Sequence, residues 1–513
     1  MSFFLPVFVT AAAVFTAYYG YVLFQFLYKP WKQLQYFSKK IPGPVALPFI
    51  GNAHQLEAEP AKFYQQILGF CQDFPKFFRI MLGPIAMIVI TNAKDAEVLF
   101  GSTKHIAKGF VYDFLQPWLG TGLLTSKGSK WFLRRKMLTP TFHFSVLHSF
   151  LTVFNEKTDI LGVRLKMMTD GQVFDIFPFI TQCSLDIICE TAMGKNIHAQ
   201  EDRKNEYVQA VIKMSELALE RMKYPWLWPS MLYSILPHGK QHAECLKILH
   251  DTTDKVIKGR YQEFVKMYPR GLRNPSADEP QKKRLAFLDL LLQMKQENKS
   301  FTFDDIREEV DTFMFEGHDT TAAGVSWCLY LLGRHPEIQH RVQKELDEVF
   351  GSTQGPVTSD QLQRLHYLTC VIKETLRIFP SVPFIARVLD EDCVLGGHKI
   401  PSGTNVCVLI NALHRDPDVF PNPEEFDPDR FLYQNCISRH PYAYVPFSAG
   451  ARNCIGQRFA MMEEKVIVSS VLRHFNIESI QARHEVLPIS ELILRPSKGI
   501  QVKLTPRVFN GPQ

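Results

Sequence analysis

The sequence predicts a mostly α-helical protein with a small β region, carried behind an apolar N-terminal segment. Three observations lead there. Apolar residues recur with the helical period from about residue 60 to about residue 480. Short alternating runs, such as Phe78-Arg79-Ile80-Met81-Leu82 and Met87-Ile88-Val89-Ile90-Thr91, read as a small sheet. Residues 3–28 carry no charge at all. No internal repeat and no long low-complexity linker divides the remainder of the chain, so one large unit of residues 52–513 is expected.

From Phe3 to Tyr28 the chain holds 26 largely apolar residues. As a helix they would extend about 39 Å, enough to cross a hydrocarbon core of roughly 30 Å with tilt. Lys29, Lys32, Lys39 and Lys40 follow, and no Lys or Arg precedes. The positive-inside rule then leaves the bulk of the chain in the cytosol. A cleavable signal peptide is the competing reading, but the run is too long and lacks a basic start. Residues 29–51 form a basic, proline-rich hinge around Ile41-Pro42-Gly43-Pro44, Pro48 and Gly51. The aromatic run Tyr224 to Tyr233 suits either a membrane interface or core packing.

Thr302 to Arg334 reads as one long helix, with Thr302 as cap and Asp304 and Asp305 in its first turn. Its middle, Glu316-Gly317-His318-Asp319-Thr320-Thr321, breaks the apolar pattern, and those charges exclude a second membrane span. A further helix runs from Gln457 toward Phe475.

Composition narrows the function. Of 513 residues 46% are hydrophobic and 21% charged, as in a globular protein with a large core. The net charge of +6 comes from scattered Lys and Arg, which gives no support to nucleic-acid binding. Ten cysteines without CxxC pairing suit a reducing compartment and argue against disulfides or a zinc site.

The most informative ten residues are Phe447-Ser448-Ala449-Gly450-Ala451-Arg452-Asn453-Cys454-Ile455-Gly456, which fit F-x-x-G-x-R-x-C-x-G. Cys454 stands just before a helix N-terminus, where free amides favour a thiolate. Gly450 and Gly456 are expected to let backbone approach a flat cofactor. By this motif the chain resembles the cytochrome P450 superfamily of haem-thiolate monooxygenases. The bland alternative for a lone cysteine is a buried free thiol.

The resemblance implies the cytochrome P450 fold, with haem b held by Cys454 as iron ligand. It implies that Asp319 and Thr320 deliver protons to bound dioxygen. Trp131 and Arg135, one turn apart, and Arg387 and Arg452 are the implied partners of the haem propionates. Glu374, Arg377 and Arg430 are the implied buried network that supports the haem-binding core. The stretch Glu309 to Thr321 resembles the long signature of family 4, the fatty-acid omega-hydroxylases, in which the glutamate at the position of Glu316 is esterified to a haem methyl. Residues 131–144 and 439–447 look like the vertebrate V subfamily of that family.

The resemblance carries further expectations. Electrons come from NADPH through a cytochrome P450 reductase, with cytochrome b5 as a second partner, at a single-pass enzyme of the endoplasmic reticulum membrane. Arg134, Arg135, Lys136, Arg452 and Arg458 flank the reductase side. Membrane lipid and a fatty acid complete the partners. Phe114, Leu115, Trp118, Phe313, Val382, Phe384, Leu492 and Ile493 are the candidate substrate pocket. Two rivals stand beside the monooxygenase: a haem-thiolate isomerase or dehydratase acting on lipid peroxides without reductase, and a non-enzymatic haem sensor. Neither needs the pair Asp319-Thr320.

Overall fold

The computed structural model describes residues 35–202, 205–268, 286–351, 353 and 355–507, with scattered positions before residue 35. The apolar segment 3–28 falls mostly outside these residues, and among the described residues no helix is long and apolar enough to cross a membrane.

Seven helices matter most for the site: α1 (Gly128–Leu138), α2 (Phe177–Thr191), α3 (Glu206–Lys223), α4 (Pro237–Met267), α5 (Phe303–Arg334), α6 (His366–Ile378) and α7 (Gln457–His474). The 32-residue α5 is the axis of the molecule and packs against α2, α4, α6 and α7. Its start is fixed by a reciprocal cap. Thr302 Oγ accepts from the Asp305 N–H at 3.2 Å, and the Asp305 carboxylate accepts from the Thr302 N–H at 2.8 Å. Near-continuous burial of α5 from Ile306 to Leu332 explains why its sequence is apolar on almost every face.

One four-stranded sheet frames the site: β1 (Phe77–Leu82), β2 (Ile85–Ile90), β3 (Phe384–Val388) and β4 (Asn405–Leu409), in the order β1-β2-β4-β3. β1 and β2 form a hairpin with Leu82 opposite Ile85. β2 runs parallel to β4, pairing Met87 with Asn405, and β3 closes antiparallel with Phe384 opposite Leu409. Alternation divides the sheet between two cores. Phe78, Ile80, Met87 and Val89 face the helical core of α2, α5 and α7. Phe77, Met81, Ile88 and Ile90 face a smaller core with Val406, Val408 and Phe420. The two strands read from sequence are thus found within a residue or two of the expected bounds.

Candidate active site

The loop Phe447–Gly456 enters α7 and is pinned at both ends. The Cys454 N–H donates to the Phe447 carbonyl at 2.8 Å. Gly450 sits at φ +71°, and a Cβ there would lie 1.7 Å from the Phe100 carbonyl oxygen. Its absent side chain therefore answers to a neighbouring backbone, not to a flat cofactor as expected. Gly456 has φ −88° and no atom nearer than the Cys454 sulfur, 3.9 Å from a notional Cβ, so packing of the protein itself does not demand a glycine there.

Cys454 lines an internal cavity of about 240 Å³, into which it exposes its thiol. Burial pushes that thiol up to about 11, and the charge of Glu316 adds to the rise. The Gly456 amide, Arg135 and Lys108 act in the opposite direction.

Buried cations gather around the same space. Arg452, 9% exposed, donates to the carbonyls of Leu124 (3.1 Å) and Ser126 and lies over the Trp131 ring at 4.5 Å. Its Nε is buried without a partner among the described residues. Burial, then Arg387, bring its pKa down to about 9. Lys108 lines the cavity, with its ammonium 4.3 Å from the Tyr112 ring centroid. Burial first, then Arg387 and Arg452, push its pKa well below the usual value. Arg387 on β3 is bridged to Lys108 and donates to the Ala386 carbonyl at 3.2 Å. It stands behind the lining rather than in it.

Arg135 lines the cavity as well. Its two terminal nitrogens donate to the Asn453 carbonyl and side-chain oxygen, both at 2.7 Å, so it fastens the cysteine loop to α1. Arg452, Lys108, Arg387 and Arg135 therefore gather in or behind the walls of a cavity whose acidic side chains are Glu316, Glu464 and Cys454. That excess of buried positive charge, an orphaned guanidinium nitrogen and a cavity-facing thiol fit a planar iron cofactor bearing two carboxylates.

The centre of α5 forms another wall through Glu316, Gly317, Thr320 and Thr321. Burial raises the Glu316 carboxyl to about 7 against the pull of Lys108. The Thr320 hydroxyl donates to the Glu316 carbonyl at 2.7 Å. Asp319 does not share this space. Its carboxylate is held by Arg495, with Nε to Oδ1 at 3.2 Å and a shorter second contact from Nη2. Arg495 also donates to Glu491 at 2.6 Å. The acid and the alcohol are adjacent in sequence but face different sides of α5, because successive helical residues lie about 100° apart.

Comparison with known proteins decides the family. Residues 41–504 match the family model "Cytochrome P450". The chain is 50% identical to mouse "Cytochrome P450 4V2" over 94% of its length and 92% of that protein. It is 50% identical to the human protein of the same name over 93% of its length and 91% of that protein. With "Cytochrome P450 4c3" of Drosophila melanogaster it shares 44% identity, covering 92% and 90%.

The chain belongs to the cytochrome P450 family.

Within this P450 the three residues of the expected support network come together. Arg377 grips Glu374 through two hydrogen bonds of 2.7 and 2.8 Å, and Arg430 approaches the same carboxylate at 3.4 Å. Arg377 also donates to the carbonyls of His414, Pro423 and Glu425, tying α6 to the segment before the cysteine loop. Of the pocket residues, Leu115, Phe313, Val382, Phe384, Leu492 and Ile493 line the cavity. Phe114 and Trp118 do not. Phe114 packs on Phe110 and Trp228, and Trp118 is buried against Phe315 at 4.5 Å. The 3₁₀ helix Phe110–Leu115 turns Val111, Tyr112 and Leu115 inward instead. Of the five basic residues expected on the reductase side, Arg134 is buried on Asp305 and Glu309, while Lys136 and Arg458 remain exposed.

The P450 site also holds residues that no motif announced. Lys108, Asn453, Ser381 and Arg495 all act across long sequence separations, Ser381 donating to the Thr320 carbonyl at 2.8 Å and Arg495 holding Asp319 over 176 positions. Glu464 on α7 lines the cavity too, with one carboxyl oxygen buried and unpartnered among the described residues.

Proposed function

We infer that the chain, as a member of the P450 family, works as a haem-thiolate monooxygenase. We propose that this one hydroxylates fatty acids at the terminal carbon, using dioxygen and electrons from NADPH delivered by a cytochrome P450 reductase. The observation that carries the reading is Glu316, a carboxyl inside the same cavity as Cys454 and Thr320. When bound, the haem supplies oxygen activation at a thiolate-ligated iron. Cys454 would hold the iron, and Arg452, Lys108, Arg135 and Trp131, which line the cavity, would meet the cofactor's carboxylates with cations and donors, with Arg387 behind them. Glu316, tied to the cofactor edge as an ester or as a fixed carboxyl, would narrow the space above the iron. Leu115, Phe313, Val382, Phe384, Leu492 and Ile493 offer the alkyl chain an apolar wall and exclude water. Thr320 holds a hydroxyl at the cavity surface, and Asp319 is held behind it by Arg495.

Residues 3–28 serve as the anchor, residues 29–51 as the hinge and residues 52–513 as the catalytic domain, at the cytosolic face of the endoplasmic reticulum. Trp226, Met231 and Ile235 are exposed apolar side chains in support of a lipid contact. Exposed Phe132 and Leu133 beside Lys136 on α1 suit docking of reductase or cytochrome b5.

Acid extraction of haem from purified wild type and from Glu316→Ala tests the glutamate. The wild type is expected to keep a fraction of its haem, and the variant to release all of it. Free release from both would remove the covalent role. A requirement for NADPH and reductase separates the monooxygenase from an isomerase, which would turn over lipid peroxides without either.

A further inference from the structure

The geometry points to Arg221 as the carboxylate anchor of the substrate, a reading that rests on the proposed fatty-acid activity. Arg221 lies in the last turn of α3, is 7% exposed, and has no carboxylate within ion-pair reach among the described residues. The neighbouring Glu220 is turned to His238 at 3.2 Å. The Arg221 guanidinium instead uses neutral acceptors, each at 3.1 Å: the carbonyls of Leu227 and Trp228 and the Ser230 hydroxyl. Its faces rest near two rings, Tyr233 at 4.2 Å and Phe114 at 5.3 Å.

Beside this cation two further donors lack an acceptor. The Tyr233 hydroxyl and the Trp228 indole N–H are both buried and unpartnered among the described residues, and Tyr233 is only 4% exposed. An unbalanced buried cation flanked by two orphaned donors is costly unless an anion completes it. Nearby His242, edge-on to Tyr233, does not compete for that anion. Burial, helped by Arg221, takes its pKa down to about 4, so it is neutral near pH 7.

The cluster lies directly behind the cavity wall. Val111, Leu115 and Met222 line the cavity, and their chain neighbours Phe110, Phe114 and Arg221 belong to the cluster. Phe110 and Phe114 meet Trp228 at 5.3 and 5.9 Å, joining the segment 110–115 to the segment 224–233. A linear acid whose chain occupies the cavity would place its headgroup here, where a planar guanidinium, an indole N–H and a phenol offer charge-assisted hydrogen bonds.

The test uses the haem-loaded, full-length chain with hexadecanoic acid, hexadecanol and methyl hexadecanoate, binding being followed by haem absorption and products by mass spectrometry. Wild type is expected to bind the acid at least about tenfold more tightly than the alcohol. Arg221→Gln should abolish that preference without weakening the alcohol, and Arg221→Lys should restore part of it. Should Arg221→Gln fail to load haem, Tyr233→Phe removes one hydroxyl and is expected to weaken the acid alone. Equal weakening of acid and alcohol, or an unchanged preference, would overturn the anchor while terminal hydroxylation by wild type leaves the substrate reading intact. A wild type that binds and oxidises none of the three overturns both.

Discussion

Arg495 holds two acids that the low-dielectric interior would otherwise reject. Asp319 and Glu491 are 2% and 3% exposed, and both depend on its guanidinium. Replacing it with Met is expected to destabilise the fold by about 3–5 kcal/mol, because an unpaired buried charge costs more than the ion pair gains. Denaturant midpoints of wild type and Arg495→Met read the loss directly. Gly450→Ala places a methyl against the Phe100 carbonyl in a left-handed backbone, for a loss on the order of 3 kcal/mol and failed haem loading. Glu464 gives the pH dependence. Burial raises its carboxyl from 4.5 to about 8, so the folded chain binds that proton more tightly than the unfolded chain. The stability it contributes is therefore complete below pH 4.5 and is lost as the pH rises through about 8. Melting temperatures of wild type and Glu464→Gln should diverge in favour of the variant across that window. At this scale Cys454, Glu316 and Thr320 were legible because their chemistry is written in contiguous spacing. Lys108 and Arg495 were not, since Lys108 reaches Arg387, and Arg495 reaches Asp319, only through tertiary packing.

At the scale of elements, the long helix was readable almost to the residue. Its capping pair Thr302 and Asp305 is local, and its apolar run needs no partner to be recognised. Thr302→Ala is expected to cost about 1 kcal/mol, with faster amide exchange confined to the first turn of α5. Which way a side chain faces was harder to read. Phe114 and Trp118 look like pocket residues by type, yet the 3₁₀ turn packs Phe114 on Trp228, the short helix Gln116–Leu119 seats Trp118 against Phe315, and Val111 and Tyr112 line the cavity instead. The pair Asp319-Thr320 repeats the lesson: adjacency in a motif does not give a shared face on a helix. β3 and β4 are short runs buried on both faces, so they carry weak alternation and were not singled out in advance.

For the whole molecule, two cores on either side of one sheet and a single helical axis converge on one cavity that mixes a thiol, buried cations and aromatic walls. Removing residues 3–28 is expected to release the chain from stable association with vesicles while haem loading persists, because the described core closes without that segment. Vesicle sedimentation and haem absorbance read the two properties separately. The central claim is the terminal hydroxylation of a fatty acid, and product analysis tests it most directly. Membranes carrying the haem-loaded chain, reductase and NADPH would be given a panel of saturated and unsaturated fatty acids, with each hydroxyl located by mass spectrometry. Hydroxylation is expected at the terminal carbon, dependent on NADPH and lost in Cys454→Ala. Hydroxyl groups spread over interior carbons, or NADPH consumption with no fatty-acid product, would contradict it.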